Sequence, residues 1–172
     1  MGAIGDSRNR LLVQLFRRVP GLREAWARRH RFVESRDIPW APLRRPVKAA
    51  TVALVTTGGV HLRTQPPFDM DDPAGDPSVR EIPADTARAA LTITHKYYDH
   101  SAADRDLNVV LPLDRLRELA AEGKVGGVGR FAYSFMGHIE GRHLATLVAD
   151  TAPRVARLLA ADGAEAVVVT PA

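Results

Sequence analysis

The chain has 172 residues, of which 45% are hydrophobic, and a formal net charge of +4 at pH 7. This length and composition predict one domain whose core is large enough to fold without disulfides. The sequence contains no cysteine, which excludes a disulfide framework, thiolate metal ligands and a thiol nucleophile among these residues. No apolar run is long enough to cross a bilayer and no secretory signal is present, so we expect a cytoplasmic protein without a membrane partner.

The positive charge is concentrated near the N-terminus, where residues 1–48 hold twelve Lys or Arg and four Asp or Glu. Apolar residues at helical spacing predict two short amphipathic helices there, separated by Pro20-Gly21. Clustered arginines can attract nucleic acid or an anionic membrane, but no RNA-binding motif accompanies them. We therefore expect no nucleic-acid partner, and a helical extension with a proline-rich linker over residues 1–46.

Four short apolar runs predict strands, at residues 51–57, 90–95, 129–135 and 164–170. Helical spacing of leucine and valine predicts helices within 112–123 and 144–159, ended by Gly123 and Gly163. Strands that alternate with helices predict an α/β fold, specifically a three-layer parallel-sheet (Rossmann-like) domain over residues 47–172. The continuous apolar runs VALV and AVVV predict strands that are buried on both faces.

Polar residues follow the first three predicted strands at the point where each strand ends. In a parallel α/β sheet, ligands bind beyond the carboxyl ends of the strands, so we expect a site at this edge. The long polar segment 58–89 is expected to act as a binding loop or lid. The candidate site residues are Gly58, Gly59, His61, Arg63, Gln65, His95, Tyr97, Tyr133 and Ser134.

Two chemistries are open for this site. In the first, a histidine acts as general acid or base and Arg63 binds a carboxylate through its planar guanidinium; the glycines then allow a ligand to approach the backbone. In the second, histidines and a carboxylate bind a metal, although no tight HxH or HExxH spacing supports that. The bland alternatives are that His61 staples a loop and that His95 belongs to a structural polar corner.

Several segments resemble a known family. The motifs are VALVTTGGVHLRTQPPFD, GDPSVREIPADT, LTITHKYYDHSAADRDLNVVLPLDRLRELAAEGKVG and YSFMGH. They are similar to the selenoprotein B family of glycine, sarcosine, betaine and D-proline reductases, including its short stand-alone members. The resemblance covers roughly residues 48–172.

The resemblance implies reductive cleavage of a C–N bond in an amino acid or its N-methylated relative. It implies a selenocysteine or cysteine nucleophile, a thiol electron donor, and a partner subunit that carries a pyruvoyl group. On this basis Arg63 would hold the substrate carboxylate, His61 or His95 would move a proton to the departing amine, and the protein would be an oligomer.

In that family the nucleophile commonly follows a strand similar to VVVTP, and it is absent from the residues up to Ala172. We expect a UGA selenocysteine codon taken as a stop, a shortened polypeptide, or a protein that has lost the chemistry. The polypeptide as given is therefore not expected to catalyse reductive cleavage. The alternatives to a reductase component are a non-catalytic binding or assembly module and, third, a metal-dependent hydrolase.

Overall fold

The computed structural model describes residues 11, 14, 15, 18, 19, 21–29 and 40–172. Contacts divide the chain into two units, Met1–Pro42 with Lys96–Asp99, and Leu43–His95 with His100–Ala172. In the smaller unit, helix α1 spans Leu22–Arg29. Most of the first helix predicted in the extension, before Pro20-Gly21, lies outside the described part of the chain. No helix among the described residues is long and apolar enough to span a membrane.

The larger unit is built around strand β1, Thr51–Thr56, because other strands pair with both of its edges. Strand β7 (Ala166–Thr170) pairs with it in parallel along one edge, with Val52 opposite Ala166. Strands β5 (Gly127–Val128) and β6 (Phe131–Ser134) therefore share the other edge, also in parallel. Strand β3 (Arg80–Pro83) pairs antiparallel with β6, so the sheet is mixed.

A separate two-stranded antiparallel sheet joins β2 (Val60–Leu62) and β4 (Leu91–Ile93). The helices of this unit are α2 (Ser101–Arg105), α3 (Leu113–Ala121), α4 (Arg142–Thr146) and α5 (Ala152–Ala161). A π-helical turn, Leu147–Thr151, lies between α4 and α5. Short 3-10 turns occupy Val47–Ala49, Arg88–Ala90 and Leu107–Val109.

The core lies on both faces of β1, because alternate residues of a strand point to opposite faces. On one face Ala53 packs with Tyr133 and Phe135 of the β6 segment and with Val155 and Leu159 of α5. Val52, Leu54 and Thr56 occupy the alternate positions of β1 and are also buried. Burial on both faces explains the unbroken apolar run of the first strand.

The α/β class and the four predicted strands are confirmed, but the arrangement differs from the prediction in two respects. The second predicted strand, β4, pairs antiparallel with β2 rather than joining the parallel sheet. The AVVV run of β7 was wrongly predicted to be buried on both faces, since Val167, Val168 and Val169 are 41%, 44% and 61% exposed. β7 pairs with β1 alone among the described strands, so its apolar sequence reflects pairing rather than burial.

The helix predicted within 112–123 is confirmed, and Gly123 follows it with φ of +67°. The helical pattern of 144–159 is interrupted by the π-helical turn directly before Pro153. Segment 58–89, predicted to be a binding loop or lid, contains β2 and β3 and buries Phe68 and Ile82. Ile82 lies in β3, the strand by which this segment joins the sheet.

Candidate functional site

The carboxyl ends of β1, β6 and β7 are joined by hydrogen bonds that fix the edge at which a site was predicted. The Phe135 N–H donates to the Thr56 carbonyl at 2.8 Å, and the Thr57 N–H donates to the Thr170 carbonyl at 3.1 Å. The Ala172 N–H donates to Thr57 Oγ1 at 3.0 Å. The three strands therefore end together, as the rule for parallel sheets requires.

Gly58 and Gly59 are needed for close contacts within the protein. A Cβ atom on Gly58 would lie 2.9 Å from Val110 Cβ, and one on Gly59 would lie 2.5 Å from the Thr94 carbonyl oxygen. Gly59 also has φ of +67°, a conformation that side chains disfavour. The space that these glycines clear is thus filled by Val110 and Thr94.

His61 is buried and both of its ring nitrogens are engaged. Nδ1 lies 2.8 Å from the Leu62 carbonyl oxygen and Nε2 lies 2.8 Å from Thr94 Oγ1. A carbonyl oxygen only accepts, so Nδ1 carries a proton and Nε2 is left to accept from the threonine hydroxyl when the ring is neutral. The ring also meets Phe68 edge-on. This geometry matches the loop-staple alternative for His61.

Gln65 has a similar structural environment. Its Oε1 accepts from the Leu62 N–H at 2.9 Å, and its Nε2 donates to the Glu81 carbonyl at 2.9 Å. The amide therefore ties the turn after β2 to β3. A ligand contact from Gln65 would have to replace one of these two bonds.

Arg63 lines an open cavity of about 480 Å³ beside β4. Its Nε donates to the Ala89 carbonyl at 2.9 Å, and its terminal nitrogens have no hydrogen-bond partner among the described residues. The cavity is also lined by Arg88, Ala89, Leu91, Thr92, Ile93, Ala103, Asp104 and Leu107. The guanidinium is thus anchored through Nε at the wall of a space large enough for a small ligand.

His95 follows β4 and is only 9% exposed. Burial is the main reason that its pKa falls to about 4, and the nearby His138 and His100 lower the pKa further, against a hydrogen bond with the Met136 backbone. His100 Nδ1 in turn lies 2.8 Å from Asp104 Oδ2. The structure thus places His95, His100 and His138 within electrostatic reach of one another. Of the three, His100 contacts a residue that lines the cavity, Asp104.

Tyr133 and Ser134 point to opposite faces of β6. The Tyr133 ring lies in the core with Val155 and Leu159, and burial raises the pKa of its phenol. Ser134 is fully buried, and its Oγ has no hydrogen-bond partner among the described residues. Tyr97 belongs with the smaller unit. Neither Tyr133 nor Ser134 lines the cavity of Arg63.

Within the described residues, no three His, Cys, Asp or Glu side chains are grouped as metal ligands. The geometry accordingly gives no support to the metal-dependent alternative. Arg88, which faces the same cavity as Arg63, was missed from the sequence. It lies in a polar, proline-interrupted stretch, and nothing in its local pattern distinguishes it from a solvated arginine.

Comparisons with known proteins identify the family. The model of the glycine/sarcosine/betaine reductase selenoprotein B family matches residues 15–172, which extends further toward the N-terminus than the resemblance predicted from residue 48. The D-proline reductase subunit gamma of Acetoanaerobium sticklandii is 35% identical over 131 residues, 76% of this chain and 52% of that protein. No solved structure matches.

Two further relatives cover smaller shares of their own length. The glycine reductase complex component B subunit gamma of Carboxydothermus hydrogenoformans is 32% identical over 142 residues, 77% of this chain and 30% of that protein. The betaine reductase complex component B subunit beta of Peptoclostridium acidaminophilum is 37% identical over 100 residues, 56% of this chain and 22% of that protein. The chain thus matches about half, or less, of the length of these relatives.

The family model covers nearly the whole chain, including the motifs that surround β1, β4 and β6. We conclude that the chain belongs to the glycine/sarcosine/betaine reductase selenoprotein B family.

Proposed function

We propose that the protein is a component of an amino-acid reductase complex that cleaves the C–N bond of glycine, sarcosine, betaine or a proline-type substrate. The match of the family model to residues 15–172 carries this proposal. The names of the relatives, which are subunits of D-proline, glycine and betaine reductases, support it. A binding or assembly module remains the second candidate, but no specific observation favours it.

In this proposal Arg63 binds the substrate carboxylate. A carboxylate suits the two terminal nitrogens of a guanidinium, which can donate two parallel, charge-assisted hydrogen bonds. The bond from Nε to the Ala89 carbonyl fixes the plane of the group, so little side-chain freedom is lost when a ligand binds. The substrate is therefore held by its one obligatory anionic group.

Proton transfer at the amine nitrogen falls to His95 rather than His61. Both ring nitrogens of His61 are occupied within the protein, whereas His95 is neutral at pH 7 because its pKa is about 4. A neutral imidazole can relay a proton, since one ring nitrogen donates to the amine while the other accepts a proton from solvent. The low pKa also means that His95 adds no positive charge to repel a substrate ammonium.

The selenol or thiol supplies the nucleophile in this chemistry, and the 172 residues contain no cysteine. In the proposal the nucleophile, the pyruvoyl group and the electron donor come from outside these residues. The parallel pairing of β1 with β7, which runs from Val52 opposite Ala166 to Thr56 opposite Thr170, gives the edge a fixed geometry, as positioning of reactants requires. The three-layer arrangement and the oligomer expected from the sequence belong to this proposal as well.

The test is reconstitution with the partner subunits of a D-proline or glycine reductase. Consumption of the substrate would be measured with a dithiol as reductant, with and without this chain. We expect turnover only when the chain, extended by a selenocysteine or cysteine segment, replaces its counterpart. Turnover that is unchanged when the chain is left out would contradict the proposal.

A further inference from the structure

The cavity beside β4 is lined by a second arginine, Arg88, in addition to Arg63. Arg88 donates through Nη2 to the Arg105 carbonyl, and its Nη1 lies 3.7 Å from Asp106 Oδ1. Like Arg63, it is held by a backbone carbonyl and lines the cavity. Two anchored guanidinium groups on one cavity form a site for an anion.

The cavity also contains one negative group. Asp104 lines it, and Oδ2 of Asp104 is engaged by His100 Nδ1 at 2.8 Å. Its second carboxylate oxygen has no partner among the described residues, so it can accept from a cation in the cavity. A ligand with both an anionic and a cationic end would therefore find partners for both.

Much of the remaining wall is apolar. Leu91, Ile93 and Leu107 line the space between the charged groups, and such a wall accepts methylene or N-methyl groups. The cavity volume of about 480 Å³ lies in the range of small-molecule sites. A small α-amino acid or an N-alkylated one fits this combination of a carboxylate, an ammonium group and short alkyl groups.

We infer that this cavity is the recognition site for a small zwitterionic amino acid, with Arg88 sharing the carboxylate with Arg63 and Asp104 facing the ammonium group. The inference rests on the proposed function for the reaction that follows binding. It adds two specificity-determining residues, Arg88 and Asp104. Two guanidinium groups also suit inorganic phosphate, which is the competing ligand to be tested.

The experiment is calorimetric titration of the full chain with glycine, sarcosine, betaine and D-proline. Pyrrolidine, which lacks the carboxylate, acetate, which lacks the ammonium group, and inorganic phosphate serve as comparison ligands. We expect at least one zwitterion to bind, and D-proline to bind at least about tenfold more tightly than pyrrolidine, because a charge-assisted pair is lost. Tighter binding of phosphate than of every zwitterion would overturn the inference.

Single substitutions test the roles proposed for Arg63, Arg88 and Asp104. Arg88→Gln and Arg63→Gln should each weaken zwitterion binding about tenfold or more, whereas Arg115→Gln, on an exposed arginine paired with Glu118, should leave the affinity unchanged. Asp104→Asn should weaken zwitterion binding and leave acetate binding within about twofold, since acetate has no cation for Asp104 to accept from. Thermal melting would confirm that each variant is folded. Unchanged affinity in Arg88→Gln or Asp104→Asn would contradict the assignment.

The experiments distinguish a failure of the cavity assignment from a failure of the proposed function. If the chain binds a zwitterion at Arg63 and Arg88 but supports no turnover in the reconstituted complex, the proposed function is wrong and the cavity assignment stands. If the complex turns over and Arg88→Gln leaves both KM and kcat unchanged, the cavity assignment is wrong and the proposed function stands.

Discussion

His95 illustrates how a single side chain departs from its behaviour in water. It follows β4, lies 9% exposed and has neighbours in His100 and His138 that disfavour its charged form. The pKa of about 4 lies below the value of 6.5 for an unburied histidine, so the folded protein binds a proton at this ring less readily than the unfolded chain does. The folded protein thus keeps the His95 ring neutral at pH values where an unburied histidine would be protonated.

The first prediction follows from that difference in pKa. Above pH 6.5 the ring is neutral in both states; as the pH falls toward 4, the unfolded chain is protonated first, so the folded state loses stability. We expect the free energy of unfolding to lose about 2 kcal/mol at His95 between pH 7 and pH 5. Urea unfolding of the unmodified protein and of His95→Gln at both values measures it. A difference between the two proteins that does not change with pH would contradict the expectation.

At the scale of a strand, position in the sheet decides what an apolar residue contributes. Leu54 in β1 is 2% exposed, whereas Val169 in β7 is 61% exposed, although the two strands are adjacent and have similar sequences. Removing buried methyl groups leaves a cavity and loses transfer free energy. An exposed side chain loses neither to the same extent, so similar sequences predict unequal contributions.

The second prediction compares these two positions directly. Leu54→Ala should lower the free energy of unfolding by about 2–5 kcal/mol, and Val169→Ala by less than about 1 kcal/mol. Chemical denaturation of both variants measures the costs, with Lys124→Ala, an exposed residue, as the neutral control. Equal costs at the two positions would show that β7 is covered in solution.

At the scale of the whole molecule, segment 69–78 is fastened to residues far along the chain. Gly75 pairs with Ile139, and His138 Nε2 lies 2.9 Å from the Pro73 carbonyl oxygen. Asp72 binds His143 and Arg142, which lower the pKa of its carboxyl group to about 2. These contacts hold a polar segment against the body of the larger unit without an apolar core of their own.

The third prediction concerns the closest of those contacts. A Cβ on Gly75 would lie 1.6 Å from the His138 carbonyl oxygen, and φ there is +86°. Gly123 has φ of +67° with nothing within 4 Å of its Cβ position, so it isolates the cost of the backbone conformation, about 1–2 kcal/mol. Gly75→Ala should therefore destabilise the protein more than Gly123→Ala does. Thermal unfolding measures both, and an equal loss would argue against the close approach.

Local sequence patterns predicted where strands and helices lie better than they predicted which strands pair. Apolar runs identified β1, β4, β6 and β7, and leucine spacing identified α3, because these signals depend on residues that are neighbours in sequence. The antiparallel pairing of β4 with β2 and the exposure of β7 depend on tertiary context, so the runs alone led to a wholly parallel, fully buried sheet. Short strands such as Gly127–Val128 carry too little pattern to be recognised.

For the candidate site as well, the sequence predicted positions along the chain better than contacts between residues. The sequence indicated that His61, Arg63 and His95 would follow strand ends. Arg63 does follow β2 and His95 does follow β4, whereas His61 lies within β2. The sequence did not reveal that Leu62 and Thr94 engage both nitrogens of His61. Nor did it reveal that Arg88 lines the same cavity as Arg63, since these partners are determined by the fold.

The order in which the larger unit forms follows from the separation of its contacts along the chain. All the residues that line the cavity beside β4 lie between Arg63 and Leu107. The pairing of β1 with β7, in contrast, requires Val52 to meet Ala166. Long-range pairing requires the closure of a long loop and slows folding, and local contacts form sooner. We therefore expect the residues around this cavity to come together early in folding, before the strand that completes the sheet has been added.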